Sequence, residues 1–355
     1  MIKDIGSIFP LSIEDMSLRT QGSNLSVKDG DRINFSLCRE AMYAVALKYE
    51  CSKKVVLIPA YTCQTVIDPF IQLGWKCCFY NINIDLRIDT DDLLQKYELI
   101  RPSLIVVHPY YGVDLSDIEL NTLKLIKEKG CILIQDITQC IYSVRRPEIF
   151  DYIVGSYRKW FQAPDGGFVE SNKINGLIIP DKENEAFVEK QTNAMYLRGK
   201  YFETGDEIMK QISIKLNKEA VACIGHEIEC HKMSDFSLSL MEACDVKASI
   251  AQRYMNYRFL YNHIKQVENI RLVCNDIEEV TTAPLYFPIY VTNRTKIQNK
   301  LAENHIYAPI LWPVNTEDLL INENIRYIYS HILMIPIDQR YGKDDMAKIV
   351  SILNS

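Results

Sequence analysis

Cys131-Ile132-Leu133-Ile134-Gln135-Asp136-Ile137-Thr138-Gln139 is the stretch on which the fold turns. Its first four residues form a continuous apolar, β-prone run, the pattern of a strand buried on both faces. An acid follows at once. Three comparable runs come earlier: Val55-Val56-Leu57-Ile58, Cys77-Cys78-Phe79-Tyr80 and Leu104-Ile105-Val106-Val107. Around them lie amphipathic segments at about 38–49, 64–73, 89–98 and 117–129. The last closes on Lys127-Glu128-Lys129-Gly130, the cations and glycine that suit a helix C-terminus. This alternation predicts a mostly parallel α/β sheet with right-handed crossovers. Ligands of such sheets bind at the carboxyl ends of the strands.

Further along, from about 183 to 268, the pattern is largely helical. Ser234-Asp235 offers an N-cap for a long helix reaching about Ile264. Ala283 to Val291 predicts a strand, and helices near 294–304 and 343–354 complete a small α+β region. The expected division is a large domain over 1–240 and a small C-terminal domain over 241–355. A 355-residue chain with 48% hydrophobic and 24% charged residues has ordinary globular composition. Its net charge of −6 argues against a nucleic-acid partner. No apolar run is long enough to span a bilayer, and Met1 to Ser7 has no signal-peptide core. A soluble cytoplasmic protein with no membrane partner is expected.

The 11 cysteines are odd in number and scattered, with no C-x-x-C pair, so they read as small buried hydrophobes in a reducing compartment. Cys223, His226, Cys230 and His231 are zinc-ligand types, but His231 points off the helical face shared by the others. A packed helix is the simpler account, and no metal is expected.

Asp136 is placed at a strand end with little solvent to support its charge, and needs a cationic partner. It reads equally as a helix N-cap, with Thr138 and Gln139 beginning the helix. Twenty residues on, a strand at Tyr152-Ile153-Val154 leads into Gly155-Ser156-Tyr157-Arg158-Lys159-Trp160 and then Pro164-Asp165-Gly166-Gly167. A lysine between a strand and a paired-glycine turn, together with Asp136, suggests one chemistry. A lysine amine forms a Schiff base with pyridoxal phosphate, while an aspartate keeps the pyridine nitrogen protonated. A lysine freed by an incoming amine can then move a proton between substrate and cofactor.

At this point the residues resemble a known family. Asp136-x-x-Gln139, Ser156 with Lys159, and Gly166-Gly167 look like the fold-type-I pyridoxal-phosphate enzymes. Pro59-Ala60-Tyr61-Thr62, Val107-His108-Pro109-Tyr110-Tyr111-Gly112 and Met233-Ser234-Asp235 narrow the resemblance to the DegT-type (DegT/DnrJ/StrS) sugar aminotransferases, from about Asn34 to Tyr341. The resemblance implies a large α/β domain, a mostly parallel sheet between helices, and a smaller α+β domain. It implies that pyridoxal 5'-phosphate is carried by Lys159, with Asp136 on the pyridine nitrogen, Gln139 near the ring hydroxyl and His108 beside the ring. Ser156 and a helix starting near Ser36 to Arg39, Cys38 included, would hold the phosphate. Arg39 would add a charge-assisted bond, unless it is an ordinary surface arginine.

The chain departs from the pattern in places. Leu37 and Cys38 replace small residues, and Cys63 replaces the aromatic that covers the cofactor ring, leaving Tyr61 as a substitute stacker. Ser156 stands three residues before the lysine instead of five, and Cys230 or His231 falls where a partner-reaching asparagine belongs. Trp312 is a candidate for the substrate side or for the core. The implied activity is transfer of an amino group, from glutamate, to a nucleotide-linked keto-sugar by a homodimer with active sites at its interface. A pyridoxal-phosphate lyase, dehydratase or decarboxylase, and a non-catalytic ligand-binding paralogue, are the alternatives. Ser156-x-x-Lys159 as a serine hydrolase lacks its companion motifs, and G-x-G-x-x-G and G-x-x-x-x-G-K-[ST] are both missing.

Overall fold

The computed structural model describes residues 4–18, 28–29, 31–142, 148–267, 269–274, 276–314 and 317–355. The chain divides into two compact units. One comprises Ser7–Tyr49 and Tyr152–Asp245; the other comprises Asp4–Gly6, Glu50–Asp151 and Val246–Ser355.

The second unit holds the parallel ladder the apolar runs predict. Ile132–Asp136, Leu104–Val107, Val55–Pro59 and Lys76–Tyr80 are hydrogen-bonded in that order, every pair parallel. Leu57 faces Cys78 on one side and Ile105 on the other, and Val107 faces Gln135. Val55–Pro59 and Leu104–Val107 are wholly buried, as continuous apolar runs require. In Lys76–Tyr80 the lysine is exposed, Cys77 to Phe79 are half-buried and only Tyr80 is buried, because the strand ends the ladder. The crossovers are the helices Gln64–Gln72, Thr90–Ile100 and Asp117–Glu128. Asp117–Glu128 begins with a capping box, Ser116 and Glu119 each satisfying the other's backbone N–H, and Gly130 follows it at φ 88°.

The same unit carries a three-stranded antiparallel sheet, Ile332–Pro336, Tyr286–Val291 and Ile270–Leu272 in order. The helices Val246–His263, Arg294–Glu303, Glu323–His331 and Lys343–Asn354 accompany it. Leu260, Ile289, Leu333, Ile335, Met346 and Ile349 form the centre of its core.

In the first unit, Lys28–Asp29, Arg32–Phe35, Gly167–Glu170 and Tyr152–Ser156 pair antiparallel in that order. Helix Cys38–Lys48 follows directly on Arg32–Phe35. Glu185–Thr204 and Glu207–Cys223 form a helical hairpin, turned by Gly205 in the left-handed region and restarted by an Asp206 N-cap.

The single long helix expected from Ser234 to Ile264 is two helices, Asp235–Glu242 and Val246–His263. Ser234 does cap the first, accepting from the Ser237 N–H. The break has a packing cause. Phe236 and Leu240 bury themselves with Leu11 and Met195, whereas Tyr257 and Leu260 belong to the core of the other unit. One straight apolar stripe cannot serve both.

Two features fix the turn at 164–167. A Cβ on Gly167 would stand 2.3 Å from the Cys38 nitrogen, so only glycine lets strand Gly167–Glu170 lie against the start of helix Cys38–Lys48. Asp165 is fully enclosed and accepts from the Ser234 N–H at 3.0 Å, the Ser234 hydroxyl at 2.7 Å and the Ser237 hydroxyl at 2.5 Å. Burial nevertheless pushes its carboxyl up to about 6. An acid raised in the folded state binds more protons folded than unfolded between the two values, so stability falls as pH rises from about 4 to about 6. The loss is on the order of 3 kcal/mol at neutral pH. Denaturant melts of Asp165→Asn across that window are expected to lack this decline relative to the unsubstituted protein. Parallel curves for the two proteins would show that Asp165 is not its source.

Candidate functional site

The parallel ladder brings three loop starts to one edge of the second unit: Ala60 to Cys63, His108, and Asp136 to Gln139. His108 and Asp136 are both buried. His108 Nδ1 stands 3.7 Å from Asp136 Oδ2, an ion-pair distance longer than a hydrogen bond, and its Nε2 lies 2.8 Å from the Thr62 hydroxyl. The imidazole is therefore held through Nε2, with Nδ1 turned toward the carboxylate. Thr62, quoted above only as part of a motif, is the residue that orients it; no spacing rule links positions 62 and 108 in sequence.

No helix begins at Asp136. Thr138 and Gln139 form a turn, and Asp136 Oδ1 accepts from the Thr138 N–H at 2.9 Å. That leaves Oδ2 directed at His108. The Gln139 backbone carbonyl accepts from Leu285 N–H at 3.0 Å, while its buried side-chain oxygen has no hydrogen-bond partner among the described residues. A buried acceptor left open this way costs free energy unless something supplies a donor.

Tyr61 is wholly enclosed, its ring centroid 4.8 Å from Trp312, 5.2 Å from Tyr329 and 5.6 Å from Tyr110. Its hydroxyl lies 3.4 Å from that of Tyr111, and Tyr110 donates to the Tyr61 carbonyl at 2.5 Å. Burial drives the Tyr61, Tyr110 and Tyr111 hydroxyls well above their ordinary range and Tyr329 up to about 12. All four stay neutral near pH 7 and can donate hydrogen bonds, not take protons. Cys63 caps helix Gln64–Gln72, half-buried, with its sulfur 3.0 Å from the Thr65 hydroxyl.

The remaining candidates lie in the first unit. Ser156 ends strand Tyr152–Ser156, buried, with its hydroxyl donating to the Gly166 carbonyl at 3.3 Å. Lys159 is exposed in the turn that follows, beside the buried Trp160, and makes no ion pair among the described residues. Cys38 is the first residue of its helix, whose N-cap, Leu37, offers no side-chain bond. Arg39 donates to the Ile224 carbonyl at 2.5 Å and to Gly225 at 3.3 Å, so its charge meets carbonyls just past helix Glu207–Cys223.

Cys223 ends that helix and His226 is exposed beyond it. The Cys230 thiol, pushed up to about 12 by burial, contacts the Glu40 carbonyl. His231 Nδ1 lies 3.5 Å from the buried Glu40 carboxylate, which raises the imidazole. Among the described residues no group of three or more such side chains is placed to hold a metal ion. No helix there is long and apolar enough to cross a membrane.

No family model matches the sequence, and no curated protein matches it. Solved structures do. The sugar aminotransferase CalS13 from Micromonospora echinospora aligns at 13% identity over 100% of this chain and 99% of its own, with a TM-score of 0.68. A DegT DnrJ EryC1 StrS aminotransferase from Brucella abortus aligns at 13% over 97% and 90%, with a TM-score of 0.62. Spr1654 from Streptococcus pneumoniae, in its PLP-form, aligns at 13% over 99% and 98%, with a TM-score of 0.69; its PMP-form matches equally well. The chain has the α/β fold of these fold-type-I aminotransferases along essentially its whole length.

Proposed function

We propose that the chain is a pyridoxal-phosphate-dependent aminotransferase of the sugar type, moving an amino group from glutamate to a nucleotide-linked keto-sugar for surface-glycan synthesis. It works as a cytoplasmic homodimer, with a cofactor-binding part over 1–240 and a small part over 241–355. The observation that carries this is the buried His108–Asp136 pair at the strand ends, with the open Gln139 oxygen three residues on. A ring offering a protonated nitrogen and a hydroxyl fits that donor and acceptor set. The fold shared with aminotransferases supports the same reading.

When bound, pyridoxal phosphate would supply an electron sink for the electron pair left when the substrate carbon loses a proton. The residues do the rest. Asp136 Oδ2 keeps the proton on the ring nitrogen, and Thr138 N–H holds the carboxylate in place through Oδ1. Gln139 meets the ring hydroxyl. Thr62 fixes His108 beside the ring. Ser156 and the first amides of helix Cys38–Lys48 hold the phosphate, where the helix dipole favours an anion. Lys159 Nζ would hold the cofactor, and its free amine would move the substrate proton. Tyr61, packed in the aromatic cluster, would back the loop that carries Thr62, and Arg39 would serve the phosphate from the start of its helix.

Purified protein incubated with pyridoxal phosphate is expected to gain a visible absorption band that glutamate bleaches. Isotopic nitrogen from labelled glutamate should then appear in bound pyridoxamine phosphate. Absence of the band overturns the cofactor reading; a band that glutamate leaves unchanged, with no label transferred, overturns aminotransfer.

A further inference from the structure

Of the three tryptophans, Trp75 and Trp160 are buried as core residues are, but Trp312 is only half-buried. Its backbone sits in the left-handed region, at φ 57°, immediately before Pro313. That conformation is costly for a bulky residue, and more so before proline. A core-filling indole would not need it. Strain of this kind persists where the surroundings demand a particular side-chain placement.

The placement is specific. The indole packs on Tyr61 at 4.8 Å and 56°, and on Tyr110 at 6.3 Å and 59°. It stands 6.1 Å from the His108 ring, at only 32° to its plane. Tyr61 and Tyr110 are themselves locked by the Tyr110 hydroxyl on the Tyr61 carbonyl and by Tyr329 on the carbonyls of Ala60 and Thr62. The indole is thus held beside, and tilted to, the imidazole that faces Asp136. At the neighbouring loop start, position 63 offers a cysteine and no ring.

We propose that Trp312 is the stacking wall of the cofactor pocket, its electron-rich face set against the protonated pyridine ring. This rests on the reading above, that Asp136 and His108 receive that ring. An indole is the best of the aromatic partners for a cationic ring, and phenylalanine keeps part of the effect. Trp312 therefore acts as a positioning residue, holding the ring at His108 and Asp136 from a strained loop.

The test uses the full chain and pyridoxal phosphate itself. Trp312→Leu is expected to bind it about tenfold more weakly and to lose most of the visible circular dichroism, while Trp312→Phe stays within about threefold. The Trp312 contribution to fluorescence, taken as the difference between the unsubstituted protein and Trp312→Phe, is expected to fall on adding pyridoxal phosphate. If the unsubstituted protein gains no visible band, the cofactor reading fails and this inference falls with it. If it gains the band, but Trp312→Leu binds equally well with the same dichroism, the stacking role is overturned and the cofactor reading stands. Should Trp312→Leu fail to fold, unquenched Trp312 fluorescence in the phenylalanine comparison overturns the stacking role by itself.

Discussion

Lys159→Ala is expected to fold normally and to lose about four orders of magnitude in turnover with glutamate. The first half of that statement comes from the structure: Lys159 is exposed and makes no ion pair among the described residues, so its truncation removes no packing and breaks no network. The second half comes from its two tasks. In the proposed function it holds the cofactor covalently, and its free amine is the base that moves the substrate proton. Removing both leaves no amine to perform either task. Borohydride treatment followed by peptide mass analysis is expected to find the reduced cofactor on Lys159 in the unsubstituted protein and nowhere in the variant. Arg158→Ala, one residue earlier, is the control and should keep its turnover within a few-fold. A Lys159→Ala protein with ordinary turnover would remove the lysine from the mechanism entirely.

The parts of this molecule that could be read from sequence are those where one local pattern dictates one structure. Val55 to Ile58 and Leu104 to Val107 are buried on both faces, so each had to be written as an unbroken apolar run. Ser116 with Glu119 announces its helix through a three-residue spacing. Strand Arg32–Phe35 carries no such signature. It exists because its backbone pairs with Gly167–Glu170, more than a hundred residues later. Lys76–Tyr80 looked like a buried run and is half-buried, since position in the ladder, not composition, decides what covers it.

The site divides in the same way. Asp136 stood out because it closes an apolar strand, whereas His108, one residue past Leu104–Val107, was offered by the family resemblance alone. Thr62 on His108, and Trp312 on Tyr61, join positions that only the folded chain makes neighbours. Arg39, which the sequence offers either to an anion or as a surface arginine, donates to the carbonyls of Ile224 and Gly225, partners that no local spacing announces.

Asp136 supplies the other large effect. Its carboxylate is buried, holds Thr138 N–H through Oδ1 and faces His108 through Oδ2. Asp136→Asn keeps the shape and the Thr138 bond but removes the charge. Taking one partner from a buried charge pair costs about 3–5 kcal/mol, or about two to four orders of magnitude in a rate that depends on the pair. A protonated ring nitrogen matters most when negative charge reaches the ring, so the asparagine variant is expected to lose that much in kcat while its affinity for pyridoxal phosphate changes by less than about tenfold. Asp136→Ala removes the Thr138 bond as well, freeing the turn that carries Gln139, and is expected to weaken both affinity and turnover. Stopped-flow bleaching of the visible band by glutamate separates the two quantities. If Asp136→Asn bleaches at the unsubstituted rate, the carboxylate holds no proton on the ring, and its burial beside His108 is structural alone.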